Sequence, residues 1–349
     1  MSLTSQMELQ TKIRRINDIL KDKRVIIAFS GGSDSTLLAK IASKVSKEAM
    51  AVTIDTGTLP EDFIENVKGI ASKLRISHRI IKENLLEDEN FRKNPYHKCF
   101  ICKDRMYSLL ESIAEKEGFD IIVDGTNITD ILEDRPGMIA NYKRKIRSPL
   151  LEAKVTEDDV REYLKRENII YYPNTTCLAT RIKGPITIEK INRISYAENL
   201  IKDLTGLQIV RVRDFDGTAV IQTDDISKIL DMKLLEYIKD KFKLAGFKRV
   251  HIDIGGYHKK RGELIKSKKG DETIYKLKLP YPIDIEKTCA NLNIRCSLDT
   301  IKVRIGDGIV KISEDGNVTI EKIHDRKEVE RILLAILVSI RRLGNYSTV

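Results

Sequence analysis

No run of about 18 uninterrupted apolar residues occurs in this sequence, so no segment reads as a membrane-crossing helix. Its start, Met1 to Gln10, has neither the basic flank nor the apolar stretch of an export signal, and a soluble cytoplasmic protein with no membrane partner is expected. Cysteine is scarce. Five residues, an odd number, in a chain without a sign of secretion argue against a disulfide framework and for reduced thiols, whose chemistry is then open to metal or sulfur. Internal repeats and low-complexity tracts are also missing, which excludes solenoids and disordered linkers as the main architecture. So are two familiar nucleotide-loop patterns, GxxxxGK[ST] and GxGxxG.

What is present suggests several domains. The chain has 349 residues, of which 41% are hydrophobic, more than one small core absorbs, and two or three domains are expected. Lysine and arginine number 62 against 52 aspartates and glutamates, and the resulting charge of +10 favours anionic partners such as nucleotides or RNA without choosing between them. The densest basic cluster (Lys259, Lys260, Arg261, Lys266, Lys268, Lys269) reads as a solvated linker.

The N-terminal half alternates β-branched runs with amphipathic stretches. Strands are expected at Val25 to Phe29, Met50 to Asp55, His78 to Ile81 and Ile121 to Asp124, with helices at Ser35 to Val45, Asp62 to Leu74 and Lys103 to Glu115. That order predicts an α/β fold, a parallel sheet with helices on both faces and a ligand site at the carboxyl ends of its strands. From Pro185 the pattern becomes helix (Ile186 to Leu204), strands (Gln208 to Arg213, Ala219 to Thr223), one long helix (Asp225 to Leu244) and a strand (Arg249 to Ile254), a smaller α/β unit. Lys266 to Glu272 reads as a linker into an α+β segment: a helix near Asp284 to Asn291, strands at Thr300 to Ile305, Ile309 to Ser313 and Val318 to Ile323, and a closing helix Lys327 to Arg342. The expected domains are thus 1–182, 183–268 and 269–349.

Between the first strand and its helix lies Ser30-Gly31-Gly32-Ser33-Asp34-Ser35-Thr36. Glycines allow a tight turn and close approach of a ligand. Free N–H groups at the helix start, with the hydroxyls of Ser30, Ser35 and Thr36, can cradle a pyrophosphate. A plain strand-to-helix turn needs neither three hydroxyls nor an acid beside them.

This motif resembles the PP-loop of the ATP pyrophosphatases, which cleave ATP between the α and β phosphates and transfer AMP. The resemblance implies that Ser30, Gly31, Gly32, Ser33, Asp34 and Ser35 hold the pyrophosphate side of ATP, with Mg²⁺ sharing its charge, and that Asp55 sits among adenosine contacts. Further pieces are Asp124-Gly125-Thr126-Asn127, Asp134-Arg135-Pro136-Gly137, Arg147-Ser148-Pro149-Leu150, Asn94-Pro95 before Cys99-Phe100-Ile101-Cys102-Lys103, and Cys177-Leu178-Ala179-Thr180-Arg181. Together with Arg211-Val212-Arg213 and Asp253-Ile254-Gly255-Gly256-Tyr257, the series resembles the LarE sulfur transferases over roughly residues 10 to 265. Asp124, Gly125, Thr126, Asn127 and Lys103 join the expected ATP contacts, and Arg181, Arg211 and Arg213 match family arginines near the substrate.

Cys99 and Cys102 form a CxxC, and with Cys177 they suit an iron–sulfur cluster or a zinc site with one open position; a redox CxxC with an unrelated core cysteine is the plainer alternative. The family sharpens this. Some LarE proteins sacrifice the sulfur of one cysteine, matching Cys177. Others carry three, matching Cys99, Cys102 and Cys177, and are thought to hold a [4Fe-4S] cluster whose fourth iron presents sulfide to an adenylated substrate. The resemblance implies adenylation of a carboxylate and its conversion to a thiocarboxylate, on a pyridinium biscarboxylate mononucleotide, by a homo-oligomer supplied with sulfide or another sulfur donor. A cluster-dependent tRNA thiolase is the nearest rival, and a nucleotide-binding regulator without chemistry is the alternative from another class. Cys289 and Cys296, outside the matched region, are expected to be structural.

Overall fold

The computed structural model describes residues 3–172, 176–257, 261–269, 272–295, 300–323 and 325–344. In it the apolar runs of the N-terminal half line up as a parallel sheet. A helix, α1 (Leu3–Leu20), leads into β1 (Arg24–Ala28), α2 (Ser33–Val45), β2 (Glu48–Asp55), α3 (Phe63–Leu74) and β3 (Ser77–Lys82). A single turn, α4 (Glu89–Arg92), and the long α5 (Lys98–Glu117) precede β4 (Ile121–Val123), after which come α6 (Ile128–Ile131), α7 (Met138–Lys143), α8 (Pro149–Glu152) and α9 (Glu157–Arg166). Strand order is β3-β2-β1-β4 with every pair parallel.

Successive β1 residues explain the helices on both faces. Val25 and Ile27 belong to a core shared with Leu37 of α2, Val67 of α3 and Leu164 of α9, whereas Ile26 lies with Tyr107 and Leu110 of α5. A strand buried on both sides has no polar alternation, which is why these runs read as continuously apolar. The chain steps outward from β1 to β2 to β3, then returns to the other side of β1 as β4. Where the winding reverses, between β1 and β4, a crevice opens at the carboxyl ends of the strands.

The second sheet, order β5-β6-β7-β8, is mixed. It comprises β5 (Ile182–Lys183), β6 (Val210–Phe215), β7 (Thr218–Thr223) and β8 (Arg249–Ile252), with α10 (Ile188–Thr205) and α11 (Met232–Leu244) between them. The long helix expected from Asp225 is interrupted. Asp225 accepts from Ser227 N at 3.1 Å and starts a 3₁₀ turn, Ile226–Ile229, while Asp231 accepts from Leu234 N at 2.9 Å and caps α11. Each aspartate offers the backbone a capped start, and two starts cannot share one continuous helix.

The expected linker is likewise replaced by structure. The stretch Leu264–Lys269, β9, and Glu272–Lys278, β10, pair antiparallel in a five-stranded sheet, order β11-β12-β13-β10-β9. Its other members are β11 (Thr300–Ile305), β12 (Gly308–Ser313) and β13 (Asn317–Glu321), covered by α12 (Ile285–Leu292) and α13 (Arg326–Leu337). Lysine is tolerated in β9 because an antiparallel sheet keeps one face wet; even on the packed face, Lys266 lays its ammonium 5.9 Å from the centre of the Tyr275 ring. Lys259 and Lys260 of the basic cluster lie outside the described residues.

This third unit is seated on the first. Ile128, Ile131, Met138 and Leu151 share one apolar core with Tyr281, Ile320 and Ile336. The buried Tyr281 hydroxyl donates to the Ile131 carbonyl at 2.6 Å, and the Arg341 guanidinium stacks 4.1 Å from the Tyr142 ring centre. Cys289 is 1% exposed, as a structural cysteine should be, but it is disulfide-bonded and not the reduced thiol expected of every cysteine here. Cys296 lies outside the described residues.

Candidate active site

The loop after β1 delivers its backbone to the crevice. Gly31 has φ +69°, and a Cβ there would lie 2.9 Å from Val67 Cγ1, so both its dihedral and its packing against α3 require glycine. Gly32 caps α2 without any side-chain hydrogen bond, which leaves N–H groups of the first turn open to an anion. Ser35 Oγ accepts from Ser30 N at 3.3 Å, lies 3.2 Å from Ser30 Oγ and donates to the Gly32 carbonyl at 3.2 Å, bringing the loop hydroxyls together. Thr36 Oγ1 is buried without a hydrogen-bond partner.

From β4 comes the opposite wall. The Asp124 carboxylate is 5% exposed and accepts from Thr126 Oγ1 (2.6 Å), Tyr107 OH (2.9 Å), Asn141 Nδ2 (2.7 Å) and Ser148 Oγ (2.7 Å). Burial alone would push this carboxyl up. The Lys103 ammonium 3.4 Å away and the hydroxyl and amide donors outweigh it and hold Asp124 below the usual carboxylate range. Gly125 brings the two walls together: a Cβ on it would stand 2.9 Å from Asp34 Cβ and 3.0 Å from Ser35 N. Asn127 donates to Asp34 Oδ1 at 2.8 Å. Burial, aided by Asp130, raises the Asp34 carboxyl to about 6, with Asn127 opposing.

Ser30, Gly32, Asp34, Ser35, Lys103, Asp124, Gly125 and Thr126 line one cavity of about 300 Å³, and Cys102 and Cys177 line it too. Its apolar side is formed by Val52, Ile54, Phe63 and Met106, a surface suited to a planar base. Asp55, expected among adenosine contacts, is not in this lining: it accepts from Gly57 N at 3.1 Å and faces a neighbouring groove against α10.

Cys99 and Cys102 stand three residues apart at the start of α5, hence on one face of the helix. Cys177 is carried by the loop before a 3₁₀ turn, Leu178–Arg181, pinned where Leu178 N donates to the Thr58 carbonyl at 2.8 Å and where Thr58 Oγ1 and Cys177 Sγ stand 3.0 Å apart. All three are free, partly buried thiols. Burial pushes Cys99 and Cys102 up, and the neighbouring Cys177 adds to the rise in both, so the three sulfurs are close enough to sense one another's charge. Pro173, Asn174 and Thr175, ahead of Cys177 in the sequence, lie outside the described residues. Among the described residues, no three His, Cys, Asp or Glu side chains gather tightly enough for a single metal ion. Three soft thiols, two of them lining the cavity, fit the chemistry of a larger iron–sulfur group that leaves one iron without a protein ligand.

The expected substrate arginines are placed differently. Arg181 is buried and paired with the buried Glu198; its NH1 donates to the Cys177 carbonyl at 2.8 Å, so it braces the cysteine loop. Arg211, also buried, is 3.8 Å from Glu198 and 5.5 Å from the Tyr257 ring centre, and burial followed by Arg181 lowers its pKa. Arg213 donates to Gln222 at 2.7 Å. None of the three lines the cavity. Residues not singled out by sequence do: Arg135, Asp130 and Thr56, with Thr58 behind the last, 2.8 Å away. Arg135 was visible only as part of a short motif, and nothing in that motif marks a charge that faces inward.

The family described as the PP-loop domain matches residues 5–184. The chain belongs to the PP-loop ATP pyrophosphatase superfamily. It is an ATP-binding enzyme of that superfamily, with an α/β fold built on the parallel PP-loop sheet. An uncharacterised protein of Methanocaldococcus jannaschii is 36% identical over 245 residues, covering 69% of this chain and 94% of its own length. One from Synechocystis is 30% identical over 257 residues (71% and 96%). The pyridinium-3,5-bisthiocarboxylic acid mononucleotide synthase of Lactiplantibacillus plantarum is 27% identical over 261 residues, 72% of this chain and 94% of that enzyme.

Proposed function

We propose that this enzyme is an ATP-dependent sulfur transferase that adenylates a substrate carboxylate, releases pyrophosphate and exchanges the adenylate for sulfur, leaving a thiocarboxylate. The observation that carries the reading is a single cavity lined by both the PP-loop and the thiols of Cys102 and Cys177. The similarity to the L. plantarum synthase supports a carboxylated pyridinium mononucleotide as the acceptor.

In the first half, a carboxylate oxygen attacks the α-phosphorus of ATP and pyrophosphate leaves. The loop N–H groups and the hydroxyls of Ser30 and Ser35 take the departing charge, and Mg²⁺ enters on the phosphates. Lys103, tied to Asp124 and one residue beyond Cys102, stands between the phosphate wall and the thiols. In the second half, a sulfide attacks the acyl carbon and AMP departs. A [4Fe-4S] group on Cys99, Cys102 and Cys177 would supply an iron with an open position at which that sulfide is held. Thr58 and Arg181 fix where the Cys177 sulfur stands, which sets the distance sulfur must cross.

The test is anaerobic reconstitution with iron and sulfide, followed by absorption and iron analysis beside Cys99→Ala, Cys102→Ala and Cys177→Ala. A broad band near ~400 nm with about four irons per chain, lost in each variant, is the expected result. A wild type that takes up no iron, with sulfur transfer abolished by Cys177→Ala alone, would replace catalysis by sacrifice of that one sulfur.

A further inference from the structure

We propose that Arg135 grips the pyrophosphate half of ATP and that the C-terminal unit sets its position through Arg261 and Glu133. Among the residues lining the cavity, Lys103 and Arg135 are the two cations, and Lys103 belongs to the Asp124 wall beside the thiols. Arg135 is the cation left for the phosphate loop. Its charge bears on Asp34 within that loop.

The guanidinium is held and yet not used up. Its Nε donates to Glu133 Oε2 at 2.9 Å, NH2 reaches the same oxygen at 2.8 Å, and NH1 reaches Asp130 Oδ1 at 2.8 Å. Those contacts account for three of about five N–H donors. The side chain keeps 43% exposure, and its exposed part lines the cavity. A planar fork held by carboxylates at Nε, NH1 and NH2, with N–H donors beyond those contacts, is preorganised for a phosphate oxygen.

Glu133 has a second oxygen, and that one leaves the first domain. Oε1 accepts from Arg261 Nε at 2.7 Å, and the other end of Arg261 pairs with Glu157. The backbone makes the same crossing: Glu133 and Arg261 form an antiparallel bridge, and Gly262 N donates to the Leu132 carbonyl at 2.8 Å. Arg261 stands at the entrance to β9, so the five-stranded sheet ends one residue pair away from a phosphate-facing arginine. Arg261 is therefore a positioning residue, acting through Glu133.

The inference rests on ATP binding and needs neither cluster nor sulfur, so it stands or falls apart from the transferase reading. The test compares the affinity of the full chain for Mg-ATP and for AMP by calorimetric titration. Wild type binds ATP more tightly than AMP. Arg135→Ala weakens ATP by about tenfold or more, the effect of a lost charged hydrogen bond, and leaves AMP unchanged. Arg135→Lys recovers part of the loss, and Glu133→Gln or Arg261→Ala costs ATP a few-fold with AMP again untouched. A merely structural role would weaken both nucleotides together. Equal losses for ATP and AMP in Arg135→Ala, or no preference for ATP in wild type, overturn the contact; wild-type ATP affinity in Arg261→Ala overturns the positioning.

Discussion

Replacing Asp34 by asparagine should stabilise the free enzyme, and only above a particular pH. The fold raises this carboxyl from 3.8 to about 6, chiefly by burial. Below the lower value the group is protonated folded or unfolded and costs nothing. Between the two, the folded chain holds a proton that the unfolded chain has released, so stability falls as pH rises, and the full cost is reached above about pH 6. Two pH units correspond to about 3 kcal/mol, an upper figure because the carboxylate keeps some contact with solvent. Asparagine retains an oxygen for the Asn127 amide that donates to Asp34 Oδ1. Urea unfolding of both proteins at about pH 4, 5, 6 and 7 tests this, since differences at one pH cancel every other titration. The advantage of Asp34→Asn should be near zero at the acid end and grow to a few kcal/mol at neutrality. An advantage that is constant across the range, or absent at neutrality, would refute the assignment of the penalty to a buried charge. Activity should fall in the same variant, because the loop keeps this charge for its ligand at the expense of the empty state.

Gly125→Ala puts a methyl group against Asp34 and Ser35 N and should displace the phosphate loop, lowering kcat/KM for ATP by about a hundredfold. Gly69→Ala in α3, where nothing lies within 4 Å, is the control and should raise stability by about 0.5–1 kcal/mol with activity intact. Arg181→Met leaves the buried Glu198 to the Val212 N–H and the more distant Arg211 and should cost about 3 kcal/mol in urea unfolding, whereas a substrate-contact role alone would leave stability unchanged.

The parts of this protein that were legible in its sequence are those in which one residue type answers one physical demand. Val25, Ile26 and Ile27 are apolar because both faces of their sheet are covered, and that pattern needs no knowledge of the partners. Gly31 marks a turn that a side chain would block. Cys99 and Cys102 share a helix face whatever lies opposite. Legibility fails where pairing decides. The Lys266 region reads as linker because its polarity is typical of one, and only register with β10 makes it a strand. Charged residues are the hardest case, since the same guanidinium serves a substrate or a buried acid.

Arg181 and Arg135 show the difficulty. Arg181 lies in a motif next to Cys177, and the family resemblance implied a place near the substrate. What settles its position is Glu198, 17 residues further along the chain and brought up by α10, which buries both charges together. Arg135 stood in the sequence only within a short motif; it has carboxylates close by, Asp130 and Glu133, and Glu133 is itself engaged by Arg261, more than a hundred residues away. A carboxylate shared between two guanidiniums fixes the place of both, and the N–H groups of Arg135 that Asp130 and Glu133 do not take remain for a ligand. Glu133 gains its second partner because the third unit docks on α6 and α7. An ATP site in which a guanidinium is aimed from a distant docking surface should therefore respond to changes at that surface, even where no residue of the third unit touches the nucleotide.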